Sequence, residues 1–303
     1  MNASLEDLSD YIQCLDQRPE QKAVKQGDED WHKARNSLLT MSDTAAMGGF
    51  HPNKTTYEAL RAKMCPSLEP RENFVTQRGH DKEPVARQEY LTLFQALYPD
   101  DVMEVEEVTF VRHETYLFLG GSPDGVLKRN GKRVALLEIK TAFKELYGCM
   151  PTFNTPQTQG LADILQLETI HFVCWMEHGV HVVLAKRNRR YFNDFLVPRL
   201  RATYYMAFLP LRMASRSMQD AMLVPYRPQA NGPNHAQTRC KAKARPKQDH
   251  VQRITAGTLP PPRFPEDEEI LIVFDRKESG EWNVQPSFQP QLNQLKMSIV
   301  FEN

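Results

Sequence analysis

The sequence predicts an α/β fold in which helices flank a mostly antiparallel sheet, with a C-terminal tail. Three observations carry this. Segments of helical spacing alternate with short β-rich runs between residues 55 and 200. Asn130-Gly131, the dipeptide best suited to a two-residue hairpin, lies between two apolar runs. Residues 169–176 and 180–185 are nearly continuous apolar runs, as in strands buried on both faces.

With 303 residues, 41 % of them hydrophobic, the chain can bury a substantial core. It carries 38 basic and 38 acidic residues, so any basic binding surface has to be local. No apolar run approaches the length of a membrane span. Glu6 and Asp7 stand where a secretory leader would be basic, so secretion is not expected. The five cysteines are scattered and form no Cys-x-x-Cys pair. That argues against a disulfide framework or a zinc site and for a reducing intracellular compartment.

The elements follow in order. Leu5, Leu8, Tyr11, Ile12 and Leu15 have helical spacing, and residues 17–30 read as a polar linker. Trp31 and Arg35 precede Leu39-Thr40-Met41-Ser42. An arginine fork and a hydroxyl converging on one spot suit phosphate oxygens. The plainer alternative is an exposed Arg35 and a Ser42-Asp43 cap on a helix starting at Thr44. Thr55 to Cys65 reads as a helix, and a second opens at Gly79 and runs to Leu97. Glu83 lies in its first turn, where the helix dipole alone would favour an acid. Residues 102–111 and 115–119 read as strands that join a following hairpin in a meander.

That hairpin spans residues 120–140. Asp124 follows a Ser-Pro turn and should start one strand, while Glu138 and Lys140 should end its antiparallel partner. Alternation puts Glu138 and Lys140 on one face and turns Ile139 into apolar packing with Leu137. Two carboxylates can hold a hard divalent cation such as Mg2+, with water and phosphate completing its shell. A lysine beside them can orient water or offset charge on phosphorus. A surface salt bridge is the bland reading of the same residues.

Beyond the hairpin, Pro156 suits a helix start. Gln157 and Gln159 follow, and at i and i+2 only one of them can face the hairpin. Glu177-His178-Gly179 marks another hairpin turn, and His171, His178 and His181 show no metal-ligand spacing. Lys186 to Arg190 form a basic run before a helix from Tyr191 to Leu200, either a solvated loop or a phosphate contact. Residues 225–263 read as a Pro-rich, basic linker, solubilising or DNA-binding. Residues 269–275 and 281–284 suggest a hairpin, and 295–301 a last strand.

Ser122-Pro123-Asp124-Gly125 with Glu138-Ile139-Lys140 resembles the motif of the PD-(D/E)xK nuclease superfamily. More narrowly it resembles the YqaJ-type viral recombinase and lambda-exonuclease (alkaline exonuclease) branch. The Trp31 to Ser42 segment, Gly-x(3)-Glu-x-x-Ala-Arg from Gly79, and Gln157-x-Gln159 resemble the branch in the same order. Thr141-Ala142 departs from its usual Cys-Pro.

The resemblance implies a restriction-endonuclease-like core, a mixed and mostly antiparallel sheet flanked by helices. It implies a DNA nuclease using Mg2+, or Mn2+ in its place, and working as a 5′-to-3′ exonuclease on duplex ends. Asp124, Glu138 and Lys140 would be catalytic, and Asp124, Glu138, the Ile139 carbonyl and Glu83 would hold metal. Arg35 and Ser42 would seat a terminal 5′-phosphate, and Gln157 or Gln159 would touch substrate. A single-strand-annealing partner and a homo-oligomer are also implied, in an intracellular setting (nuclear for a eukaryotic or eukaryotic-virus source).

The expected division is an N-terminal helix and linker at 1–30, a nuclease domain at 31–223, a linker at 224–268 and a short β segment at 269–303. Two rival functions stay open. An endonuclease or RNA-degrading enzyme of the same fold would cut linear and sealed circular DNA alike, or prefer RNA. A non-catalytic module would bind DNA ends without cleaving them.

Overall fold

The computed structural model describes residues 35–64, 74–214, 269–277, 279 and 282–284. The expected helix at 4–16, Trp31, the two linkers and the strand at 295–301 lie outside these residues.

The longest strand, β6 (Lys132–Thr141), organises the rest. It is joined to β5 (Gly125–Arg129) through Asn130-Gly131, whose φ angles of 52° and 79° are the paired positive values that a tight hairpin turn needs. Among the described residues the main sheet has seven strands: β10 (Trp282–Val284), β9 (Ile270–Arg276), β8 (Gly179–Lys186), β7 (Thr169–Met176), β6, β5 and β2 (Met103–Glu106), in that order. Only the β6–β7 pair is parallel. Its crossover carries the helix α4 (Thr155–Leu165), as a parallel connection requires. The sheet is therefore mixed and mostly antiparallel, as expected.

Side chains of the central strands alternate between two cores. Leu136, Ile170, Phe172 and Val183 pack on one face with α4 and the helical run from Tyr191 to Met213. Leu137, Ile139, Val173 and Val182 pack on the other with Ala86, Tyr90 and Phe94 of α3 (Phe74–Leu97). Burial on both faces is why β7 and β8 read as unbroken apolar runs. The first face also receives α1 (Thr44–Met47) and α2 (Thr56–Met64).

Four expectations change. The strands β3 (Val111–Arg112) and β4 (Leu119–Gly121) do not continue the hairpin; they form a separate three-stranded sheet with β1 (Leu39–Thr40), which pairs parallel to β4. Helix α3 starts at Phe74 rather than Gly79 and carries Pro84 in its interior. Tertiary anchors outweigh those breakers: the Arg78 guanidinium donates to both Glu177 carboxylate oxygens and to the Ala142 carbonyl. The helix expected to end at Leu200 runs on to Met213, with π-type turns at Tyr191–Leu196 and Tyr204–Phe208. Finally, the C-terminal hairpin is no separate unit. β9 pairs along six residues of β8 and buries Ile272, Val273 and Phe274.

The basic run Lys186 to Arg190 is partly structural. The Arg187 side chain is 1 % exposed and bonds Glu168 and the Gln166 amide oxygen, with Asp163 at 3.6 Å. Arg189 also reaches Glu168. Asp163 in turn accepts from buried His113 Nε2 at 3.0 Å.

Helix α3 is fixed to the sheet by a buried polar contact, the Tyr90 hydroxyl against His171 Nδ1 at 2.6 Å. Burial depresses the His171 pKa to about 3, so the ring stays neutral and needs that partner. Tyr90→Phe leaves the ring nitrogen unsatisfied and should cost about 2 kcal/mol of stability, read from urea unfolding. A change below about 0.5 kcal/mol would show that the contact does not hold the helix.

Candidate active site

The β5–β6 ladder ends where the acids collect. Gly125 is the last β5 residue paired there, opposite Leu137. A Cβ on Gly125 would stand 2.6 Å from Val105 Cγ1, so glycine is what lets β5 begin this close to β2. One residue earlier the ladder gives way to a side chain: the Ile139 N–H donates to Asp124 Oδ2 at 2.7 Å. The N–H and C=O of one strand residue point to the same side. The Ile139 carbonyl therefore also faces the Asp124 end, past the last β5 pair.

Glu138 and Lys140 share a face, as alternation requires, and the Lys140 ammonium donates to Glu138 Oε1. The same oxygen accepts from Gln157 Nε2 at 2.6 Å. Glu138 is fully buried, and its Oε2 has no hydrogen-bond partner among the described residues. Glu83 comes from α3 on the opposite face of the sheet; its carboxylate accepts from Arg87 Nη2 at 2.8 Å, and Arg87 also pairs with Glu107.

The electrostatics bind these groups into one cluster. Burial, then the negative charge of Asp124, pushes Glu138 up to about 8 against the pull of Lys140; Glu83 adds to the push. Burial also raises Asp124, opposed by Lys140 and the Ile139 N–H. Glu83 rises through burial and the charge of Asp124. Burial works to lower Lys140, but the Glu138 and Asp124 carboxylates outweigh it and hold the amine up. The bland alternative, a surface salt bridge, does not fit a carboxylate with no exposure.

Among the described residues, no three His, Cys, Asp or Glu side chains lie close enough together to hold an ion as they stand. The donor set nevertheless suits a hard cation: oxygen ligands only, with one buried carboxylate oxygen unsatisfied. Asp124, Glu138 and the Ile139 carbonyl are the groups that could hold one, with Glu83 linked to them by charge.

The two glutamines separate. Gln157 faces the cluster. Gln159 is 3 % exposed and spans the end of β8, donating to the Lys186 carbonyl at 2.9 Å and accepting from the Asn188 N–H at 2.6 Å. It is a packing residue in this fold and does not reach the acids.

Arg35 and Ser42 do meet, Arg35 Nη2 donating to Ser42 Oγ at 3.1 Å. The capping alternative is not realised, because α1 has no side-chain cap; instead the Thr44 hydroxyl donates to the Met41 carbonyl at 2.6 Å. Two lysines that the sequence did not single out lie around the neighbouring Asp43. Asp43 accepts from the Thr40 hydroxyl at 2.6 Å, and the Lys54 and Lys63 ammoniums each lie 3.6 Å from it. A signal for Lys63 existed. It stands at i+4 from Ala59 and i+3 from Leu60, both buried, so a cation sits on the apolar stripe of α2. The turn carrying Ser42 is seated against α4: a Cβ on Gly160 would lie 2.1 Å from Met41 Sδ.

No curated protein matches the sequence. Among solved structures, the alkaline exonuclease LHK-Exo from Laribacter hongkongensis is similar at 20 % identity and a TM-score of 0.48, covering 65 % of this chain and 100 % of that one. The structure of LHK-Exo in complex with dAMP is similar at 20 % identity and a TM-score of 0.47, with the same coverage. Residues 30–178 match the family model of the YqaJ-like viral recombinase domain, a stretch that takes in Arg35 and Ser42, the hairpin, α4 and β7. Through these residues the chain is similar to the YqaJ-like viral recombinase domain family.

Proposed function

We propose that the chain is a Mg2+-dependent deoxyribonuclease that degrades duplex DNA from its ends as a 5′-to-3′ exonuclease. The family match supports the coarse part, a nuclease that hydrolyses phosphodiester bonds in DNA. The observation that carries the rest is the desolvated acid cluster of Asp124 and Glu138 around Lys140, with one carboxylate oxygen left unsatisfied.

A divalent ion, when bound, would polarise the phosphoryl oxygens and neutralise charge on the leaving 3′-oxygen. The residues do the positioning. Asp124 is fixed by the Ile139 N–H, and Glu138 is fixed by Lys140 and Gln157. Lys140 stays a charged ammonium, so it orients the attacking water and offsets negative charge as a donor rather than taking a proton. Gln157 holds Glu138 in one rotamer and presents its amide to the same water. Arg35 and Ser42 seat the terminal 5′-phosphate, which sets the direction of travel.

Purified protein with Mg2+ should degrade linear duplex and spare sealed circles. Lys140→Ala should lower the rate about 10²- to 10³-fold. A wild type that cuts neither form, or cuts both equally, would sink the exonuclease reading. Arg35→Ala should shrink the preference for 5′-phosphorylated over 5′-hydroxyl ends, read as the ratio of initial rates.

The pH dependence has a definite sign. Metal binding needs the deprotonated acid, and Glu138 holds its proton up to about 8. Mg2+ affinity should rise as pH climbs from about 6.5 to 8 and then level off, with proton release on binding. Titration calorimetry in buffers of different ionisation heat measures both. A flat profile over that window would remove Glu138 from the ligand set.

A further inference from the structure

Between the turn that joins β3 to β4 and the helical run from Tyr191 to Met213 lies a cavity of about 510 Å³, the size of a small-ligand site. Tyr116, Asn193, Arg201 and Tyr205 line it, with small apolar side chains between them. None of these residues belongs to the acid cluster or to the Arg35–Ser42 pair.

The fold builds this cavity with some care for where its rings point. Each π-type turn supplies one wall residue, Asn193 from the first and Tyr205 from the second. Such turns are rare and recur at functional sites. In the second, Tyr204 and Phe208 are buried while Tyr205 is turned outward, 48 % exposed. The Tyr205 ring is nevertheless held. It meets Tyr204 at 5.1 Å and Phe118 at 6.0 Å, steeply inclined to both. A ring already fixed loses little freedom when another ring stacks on it. Tyr116 is fixed through its backbone: buried His113 accepts the Thr115 and Tyr116 N–H groups on Nδ1, at 3.0 and 3.1 Å, and stacks on Phe192.

The polar groups keep bonding capacity in hand. The Arg201 guanidinium lies over the Tyr116 ring, 5.7 Å from its centroid, and pairs with no carboxylate among the described residues. Glu114 and Asp194, the acids nearest in sequence to the wall, do not reach it. Residues 197–214 hold Arg199, Arg201 and Arg212 and no acid. The Tyr116 hydroxyl donates to Asn193 Oδ1 at 3.0 Å, which leaves the Asn193 NH2 group without a protein partner among the described residues. A held aromatic face, a cation and an amide donor match a nucleotide: every base has a π-face and edge acceptors, and the backbone is anionic. Base pairs in a duplex hide those faces, so the base has to be unpaired. Removing one strand from a duplex end leaves such bases on the other.

We infer that this cavity binds an unpaired nucleotide of the single strand that end degradation leaves behind. Its base stacks on Tyr205 and takes a hydrogen bond from Asn193, and its backbone phosphate meets Arg201. The origin of the strand rests on the exonuclease reading; the binding itself does not.

Fluorescence anisotropy tests this on the full chain with Mg2+ withheld, using a labelled oligo(dT) of about 12 nucleotides and a duplex of equal length. Wild type should bind the single strand. Tyr205→Ala should weaken that binding about tenfold, Tyr205→Phe should keep it, and neither should change duplex affinity. Arg201→Gln should lower the slope of log affinity against log salt by about 0.7, the share of one phosphate contact on a single strand. Melting curves confirm folding, and the exposed Arg201 keeps the test open should Tyr205→Ala not fold. A wild type that does not bind oligo(dT), or variants that match it in affinity and salt slope, would overturn the inference. Equal losses on single strand and duplex would overturn it too, as would free dTMP displacing the strand at equal concentration. If these arms fail while duplex is still degraded, the nuclease reading stands alone. Strand binding through these residues in a chain that degrades nothing removes that reading and keeps the cavity.

Discussion

One carboxylate held away from water sets the terms for the rest of this fold. Glu138 lies on a central strand with no exposure, and such a group is costly unless it is neutralised, paired or bound to metal. The chain supplies a partial answer from each neighbouring element. Lys140 comes from the same strand face, Gln157 from α4, and Asp124 from the strand end alongside. Each raises the stakes for the others, because Asp124 and Glu83 push the Glu138 proton affinity up while Lys140 pulls it down. The oxygen that none of them satisfies distinguishes this arrangement from a plain salt bridge.

The two charged centres are mechanically joined. Met41 begins the short turn that carries Ser42, and its sulfur occupies the space that a side chain at Gly160 would need. Gly160 is three residues along α4 from Gln157, which bonds Glu138. The helix that carries Gln157 therefore also seats the turn that carries Ser42. The clamp's strand, β1, pairs with β4, whose end leads within three residues to Asp124. Strand pairing and helix packing thus tie the Ser42 turn to the elements that carry the acids.

Much of this was legible because the decisive signals are local. Asn130-Gly131 demands positive φ at both residues and so fixes the hairpin, and alternation then places Glu138 and Lys140 together. Unbroken apolar runs announce β7 and β8. What stayed hidden depends on tertiary context. Helix periodicity says that Gln157 and Gln159 diverge but not which one faces the sheet edge. The basic run from Lys186 reads as exposed because nothing local reveals that Arg187 is sealed among Glu168, Asp163 and Gln166. Val111 and Arg112 look like part of a meander, yet they pair with Gly121 and Gly120 in a second sheet. Lys63 was visible only as a cation out of place on an apolar stripe.

The pairing of β9 with β8 bears on where this protein ends as a folding unit. The family match stops at residue 178, inside the turn between β7 and β8. A chain cut there would lose β8 and leave β7 with a bare row of backbone donors and acceptors along one side. A chain cut after Met213 would instead bare β8, whose buried Val180, Val182 and Leu184 lie beside that open edge. Such an edge is a template for adding foreign strands and for aggregation. The stretch that matches the family is thus shorter than the sheet it belongs to, and the late strand at 270–276 covers the β8 edge.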